Sequence, residues 1–149
     1  MSKVVSYLSL QYGVALLAAP AFCLLYITIF EDQSIDIFWF LTDKKALFLL
    51  VLFYPIVEEL AFRGVIQEYI DKKIEQNLLF FHLSAANIIT SIFFVLMHFI
   101  HHAPMLAILT FFPSLIFGYF KDQYKFIMPS IVLHMFYNFC YFSLITSTS

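Results

Sequence analysis

Five apolar stretches occupy most of this 149-residue chain: Tyr7 to Phe30, Ala46 to about Tyr69, Ser84 to about His101, Pro104 to Phe120, and Phe126 to about Thr146. Each is near the roughly 20 residues that a helix needs to cross hydrocarbon, the fourth being short enough to sit tilted or shallow. Short polar connectors separate them, Glu31 to Lys45, Ile70 to Phe81 and Lys121 to Lys125. With 62% apolar and only 12% charged residues, the composition departs from the roughly 25% charge of soluble domains. The expected fold is therefore all-α, a polytopic transmembrane helical bundle of about five spans.

The eight basic and ten acidic residues form no long basic run, which argues against nucleic acid as a partner and leaves the lipid bilayer as the surrounding medium. Cys23 and Cys140 have neither redox nor zinc spacing and are expected to pack as small buried hydrophobes. Lys3 and the run Ala18-Ala19-Pro20-Ala21 resemble a signal peptide, but the apolar residues continue to Phe30, so the segment is expected to be retained as a helix. The aromatic segment Ile35 to Phe40 suits the membrane interface. Five spans put Lys3, Lys72, Lys73, Lys121 and Lys125 on one side and Lys44 and Lys45 on the other. The positive-inside rule then predicts a cytoplasmic N-terminus.

All the charged residues but Glu58, Glu59 and Arg63 fall in connectors or at helix ends. A charge at the centre of a spanning helix costs on the order of 2.5 to 3.5 kcal/mol, so three in one span call for compensation and mark a candidate site. Glu59 and Arg63 are four residues apart and can form an ion pair on one helix face. Glu58 is rotated about 100° from Glu59, away from that pair, in the desolvated setting that suits a general base or acid near neutral pH. Pro55, one turn earlier, is expected to remove the hydrogen bond to the Val51 carbonyl and kink the helix. The competing structural role for the three charges is interhelical hydrogen bonding alone.

The third stretch places Phe94 and His98 four residues apart, and the fifth does the same with His134 and Asn138. Imidazoles on two spans, together with an acidic pair on a third, favour a site over isolated packing roles. Counted from the cytoplasmic ends at about 1.5 Å per residue, Glu58, His98, His134 and Asn138 lie roughly 17, 21, 12 and 18 Å deep, so one site is geometrically feasible. His101 and His102 are expected to be interfacial, and His82 is assigned no role.

Glu58-Glu59-Leu60-Ala61-Phe62-Arg63 reads EExxxR, Phe94 to His98 reads FxxxH, and His134 to Asn138 reads HxxxN. In that order on successive apolar helices, these motifs resemble the CPBP family of intramembrane proteases, which includes type II CAAX prenyl endopeptidases and bacteriocin-processing and immunity-type proteins. The resemblance implies a four-helix catalytic core, with residues 1–45 as an N-terminal helix and connector and residues 46–149 as the protease region. It implies peptide-bond hydrolysis near the C-terminus of a membrane-anchored protein or peptide that carries a sorting or lipidated segment. Only one helix precedes the core, so a prenylated CAAX substrate is not assumed.

Carried onto matching positions, Glu58 and His98 activate water, His134 and Asn138 stabilise the oxyanion, and Glu59, Arg63 and Phe94 support them. A metal-free glutamic mechanism is favoured, with no cofactor. The alternative is a zinc site of Glu58, Glu59, His98 and His134, which would lower the pKa of a bound water. Outside proteolysis, the same polar cluster could belong to a noncatalytic immunity or peptide-binding module or to a small proton-coupled transporter.

Overall fold

The computed structural model describes residues 3–29, 33–74 and 83–147. Helix α1 covers Lys3–Ile29 and contains Pro20. Two short helices follow, α2 (Trp39–Thr42) and α3 (Lys44–Ala46). Helical structure then continues without interruption through a π-helical segment Leu47–Phe53, α4 (Tyr54–Glu59), a second π-helical segment Leu60–Gln67, and α5 (Glu68–Lys73). The remaining helices are α6 (Ala85–His98), α7 (Pro104–Leu109), α8 (Phe111–Tyr124) and α9 (Met128–Leu144). A two-residue antiparallel bridge pairs Gln33 with Ser147 and Ser34 with Thr146.

Among the described residues, two helical stretches are long and apolar enough to cross a membrane, Tyr7–Ile29 and Pro104–Tyr124; Ala85–His98 is a shorter apolar helix. Only 17% of the first stretch is buried, so its apolar surface has little protein to face and suits lipid. The second stretch is interrupted at Thr110, where α7 ends and α8 begins. Pro113, in the first turn of α8, tolerates this position because its missing N–H would have had no partner within α8.

The chain forms two compact units, one of residues 1–56 with 133–149 and the other of residues 57–132. In the first, Ala19 and Cys23 of α1 share a buried cluster with Cys140 and with Ile145, just beyond the end of α9. Both cysteines thus pack as their apolar settings predict. Tyr137 Oη of α9 donates to Ala15 O of α1 at 2.8 Å. Trp39 Nε1 donates to Ser143 Oγ at 3.0 Å, which satisfies the one polar atom that burial of an indole would otherwise strand.

The second unit buries polar groups and exposes apolar ones. Glu59, Arg63, Gln67, Asn87, Thr90, Ser91 and Ser114 are fully buried, whereas Leu60, Val65, Ile92, Phe93, Leu96 and Ile108 are exposed. That inversion is the arrangement expected where the solvent is lipid, since helices associate there through small side chains and hydrogen bonds rather than by hiding leucines. Ser84 caps α6 by accepting from Asn87 N at 3.0 Å.

At the end of α8, Lys125 holds a left-handed conformation with φ 61°, a region that L side chains occupy at a cost. Lys125 is exposed. Lys125→Gly is expected to raise stability by about 0.5 to 1 kcal/mol, and Lys125→Ala to leave it unchanged. Thermal unfolding in detergent reads both.

Candidate active site

Glu58, Glu59, Arg63, Phe94 and His98 lie in the second unit, and His134 and Asn138 in the first. Within the second unit the ion pair expected from sequence is formed: Arg63 Nε meets Glu59 Oε2 at 3.3 Å with both side chains fully buried. The rest of the guanidinium also meets protein acceptors. Nη1 donates to Gln67 Oε1 at 3.4 Å, and Nη2 donates to Ser114 O at 2.9 Å and to Ser114 Oγ at 2.6 Å. A buried pair is tolerated only where such extra bonds offset desolvation of the remaining polar atoms.

From Arg63 the bonds run on in two directions. Ser114 Oγ donates to Ser91 Oγ at 3.0 Å, and Ser91 Oγ donates to Asn87 Oδ1 at 3.3 Å. Asn87 Nδ2 closes onto Leu115 O at 2.9 Å. On the other side, Gln67 Nε2 donates to Gly118 O at 3.3 Å and to Asp122 Oδ1 at 2.9 Å. Asp122 Oδ2 accepts from Ser84 Oγ at 2.7 Å.

Gln67, Asn87, Ser91, Ser114 and Asp122 were not singled out from sequence, yet a signal for them exists. The stripes 59/63/67, 87/91 and 114/118/122 each advance by four residues, the spacing that keeps polar or small residues on one helix face.

Phe94 joins the ion pair to the imidazole. Its fully buried ring meets Phe62 edge-on at 5.0 Å between centroids and lies under the Arg63 guanidinium, with Cζ 5.7 Å from the ring centre. His98 packs against Phe94 at 4.3 Å, and His98 Nδ1 is 2.9 Å from Phe94 O. A carbonyl oxygen can only accept, so Nδ1 carries the proton and the basic lone pair of the neutral ring is on Nε2. His98 is half-buried.

The turn after α6 brings His102 onto His98, with ring centroids 5.4 Å apart and planes within 18°. Both His101 and His102 are exposed; His102 follows His98 at a spacing of four, so the stacking gives it a contact with the site beyond the interfacial role expected from sequence. His82 lies outside the described residues.

In the first unit, His134 is buried at 4% exposure on α9. One turn later, Asn138 Nδ2 donates to Leu50 O at 2.8 Å. Among the described residues no group of three or more His, Cys, Asp and Glu side chains is placed to hold a metal ion.

The family model described as type II CAAX prenyl endopeptidase Rce1-like matches residues 40–140, a span that contains all seven of these residues. The chain belongs to that Rce1-like family. It matches no curated protein and no solved structure. Membership in the Rce1-like family, together with the apolar helices, makes this a membrane protein of a protease family. The EExxxR, FxxxH and HxxxN motifs of this Rce1-like chain all lie within the matched residues.

Proposed function

We propose that the protein is a multi-pass intramembrane endopeptidase that cleaves near the C-terminus of a membrane-anchored protein or peptide by attack of an activated water, with five spans and a cytoplasmic N-terminus. The observation that carries this reading is the division of labour within the acidic pair. Glu59 is consumed by the Arg63 network at zero exposure, while the neighbouring Glu58 is half-buried and points about 100° away round the helix.

In the proposed mechanism Glu58 takes a proton from water as the oxygen attacks the scissile carbonyl carbon. His98 orients that water through Nε2, the nitrogen left basic by the Nδ1 bond to Phe94 O. His134 and Asn138 donate hydrogen bonds to the oxyanion, and protonated Glu58 delivers its proton to the amide nitrogen as the C–N bond breaks. Glu59, Arg63 and Phe94 hold the catalytic groups in place.

Each proposed step uses carboxylate, imidazole and carboxamide groups. Activity is accordingly expected to survive exhaustive chelation, with the purified protein holding far less than one zinc per chain. Stoichiometric zinc that leaves together with activity, and restores it on return, would replace this mechanism by Lewis-acid activation of water. Inhibition by added zinc alone decides nothing, since the same side chains bind adventitious metal. The reading as a whole is tested by co-expression with candidate membrane-anchored substrates, looking for a Glu58-dependent C-terminal cleavage.

A further inference from the structure

Pro55 was expected to orphan the carbonyl of Val51, one α-helical turn back. The backbone has a different register there. Tyr54 N–H bonds to Leu49 O, five residues back, as the last bond of the π-helical segment Leu47–Phe53. In that register the next donor in line for Leu50 O is the N–H of residue 55, and proline has none. The donor that an α register would offer Leu50 O is Tyr54 N–H, already committed to Leu49 O. Leu50 O is thus left without a donor from its own helix, beside a fully buried Pro55. A carbonyl stranded in apolar surroundings is costly, and here Asn138 Nδ2 of α9 supplies the missing bond at 2.8 Å.

The same contact fixes the carboxamide. Leu50 O accepts only, so the atom of Asn138 that faces it is the nitrogen, which sets the amide orientation and leaves a second hydrogen on that nitrogen. We infer that Pro55 is a positioning residue for Asn138: by denying Leu50 O a backbone donor, it creates the acceptor that holds the Asn138 amide in one orientation. The catalytic part of the inference rests on the protease reading, because it assigns the second amide hydrogen to the oxyanion; the structural part does not. A donor already anchored by one bond meets the developing charge without reorganising, which is the condition for transition-state stabilisation.

Two cycles test this with Pro55→Ala, Asn138→Leu and the double variant. In the stability cycle, read by thermal and denaturant unfolding in detergent, Asn138→Leu is expected to raise the unfolding equilibrium constant by about tenfold in the wild-type background. With Pro55→Ala, residue 55 can donate to Leu50 O, and the same substitution is expected to cost less than about threefold. Equal losses in the two backgrounds overturn the inference. Should Asn138→Leu alone fail to accumulate as folded protein, its recovery in the Pro55→Ala background is the expected result, and failure to recover beside folded Pro55→Ala overturns it.

In the activity cycle, the probe is a membrane-anchored reporter peptide that the wild type cleaves. Pro55→Ala is expected to lower kcat at least about tenfold with KM unchanged, and to have no further effect once Asn138 is Leu. An unchanged kcat, or losses that simply add, would mean that Pro55 does not act through Asn138. If the wild type cleaves no such peptide, the protease reading fails, while the stability cycle still decides the Pro55–Leu50–Asn138 linkage.

Discussion

Glu58→Gln is expected to abolish cleavage while leaving folded protein in the membrane. The carboxamide keeps the size and most of the hydrogen-bonding capacity of the acid but cannot accept a proton from water, so the loss belongs to chemistry rather than to folding. His98→Ala removes the partner that orients the same water and should be equally inactive. The double variant should be little worse than either single one, as for groups acting as a unit. Cleavage of a membrane-anchored reporter, normalised to folded protein, measures all three. Wild-type turnover by well-folded Glu58→Gln would remove this residue from the mechanism. Glu59→Gln is a useful contrast, because Glu59 is bonded to Arg63 at zero exposure; its loss should appear as reduced stability, from the buried guanidinium left without its directly bonded counter-charge.

Gly118→Ala is expected to be the most damaging single methyl in the second unit. A Cβ there would overlap the Asn87 carboxamide and come within 2.9 Å of Gln67 Oε1. Flexible side chains could move aside, but these two are tied down. Asn87 Nδ2 bonds to Leu115 O while Oδ1 accepts from Ser91. Gln67 Nε2 bonds to Gly118 O and Asp122 Oδ1, while Oε1 accepts from Arg63. Relieving the overlap therefore breaks buried hydrogen bonds in addition to displacing the helices. The expected cost is about 2 to 4 kcal/mol, combining overpacking of about 1 to 3 with at least one lost buried bond. Unfolding in detergent measures it. Asn87→Ala in the Gly118→Ala background should recover part of the loss, since it removes the group that is struck. A neutral Gly118→Ala would show that the carboxamides are not held as described.

How far the sequence reaches is clearest at individual residues. The Glu59–Arg63 pair was legible because both partners lie on one helix, where a spacing of four fixes their proximity. The contacts of Arg63 with Ser114 were not, because they join residues 51 positions apart. Helical period tells which face a residue occupies and is silent about which face of which neighbour meets it. The Phe94 and His98 contact was likewise readable as i and i+4, and the stacking of His102 on His98 has the same spacing, made possible because the helical bond from His102 N–H to His98 O continues one turn past α6.

By itself the sequence determined that this protein is helical and belongs in lipid, because long apolar stretches with few charges have no other stable solvent. It also singled out the intramembrane charges and imidazoles, because each is costly unless something uses it. Tertiary structure alone decided how those costs are met. It joined three polar stripes into one network around Arg63, and it fixed the proton of His98 on Nδ1 by the bond to Phe94 O. It also moved the carbonyl stranded by Pro55 from Val51 to Leu50. The last case carries the physical reason most plainly. A local rule places the lost hydrogen bond four residues back, but the α and π registers differ by one residue. An Asn side chain from a helix 88 positions away in sequence bonds the carbonyl that the π register leaves stranded.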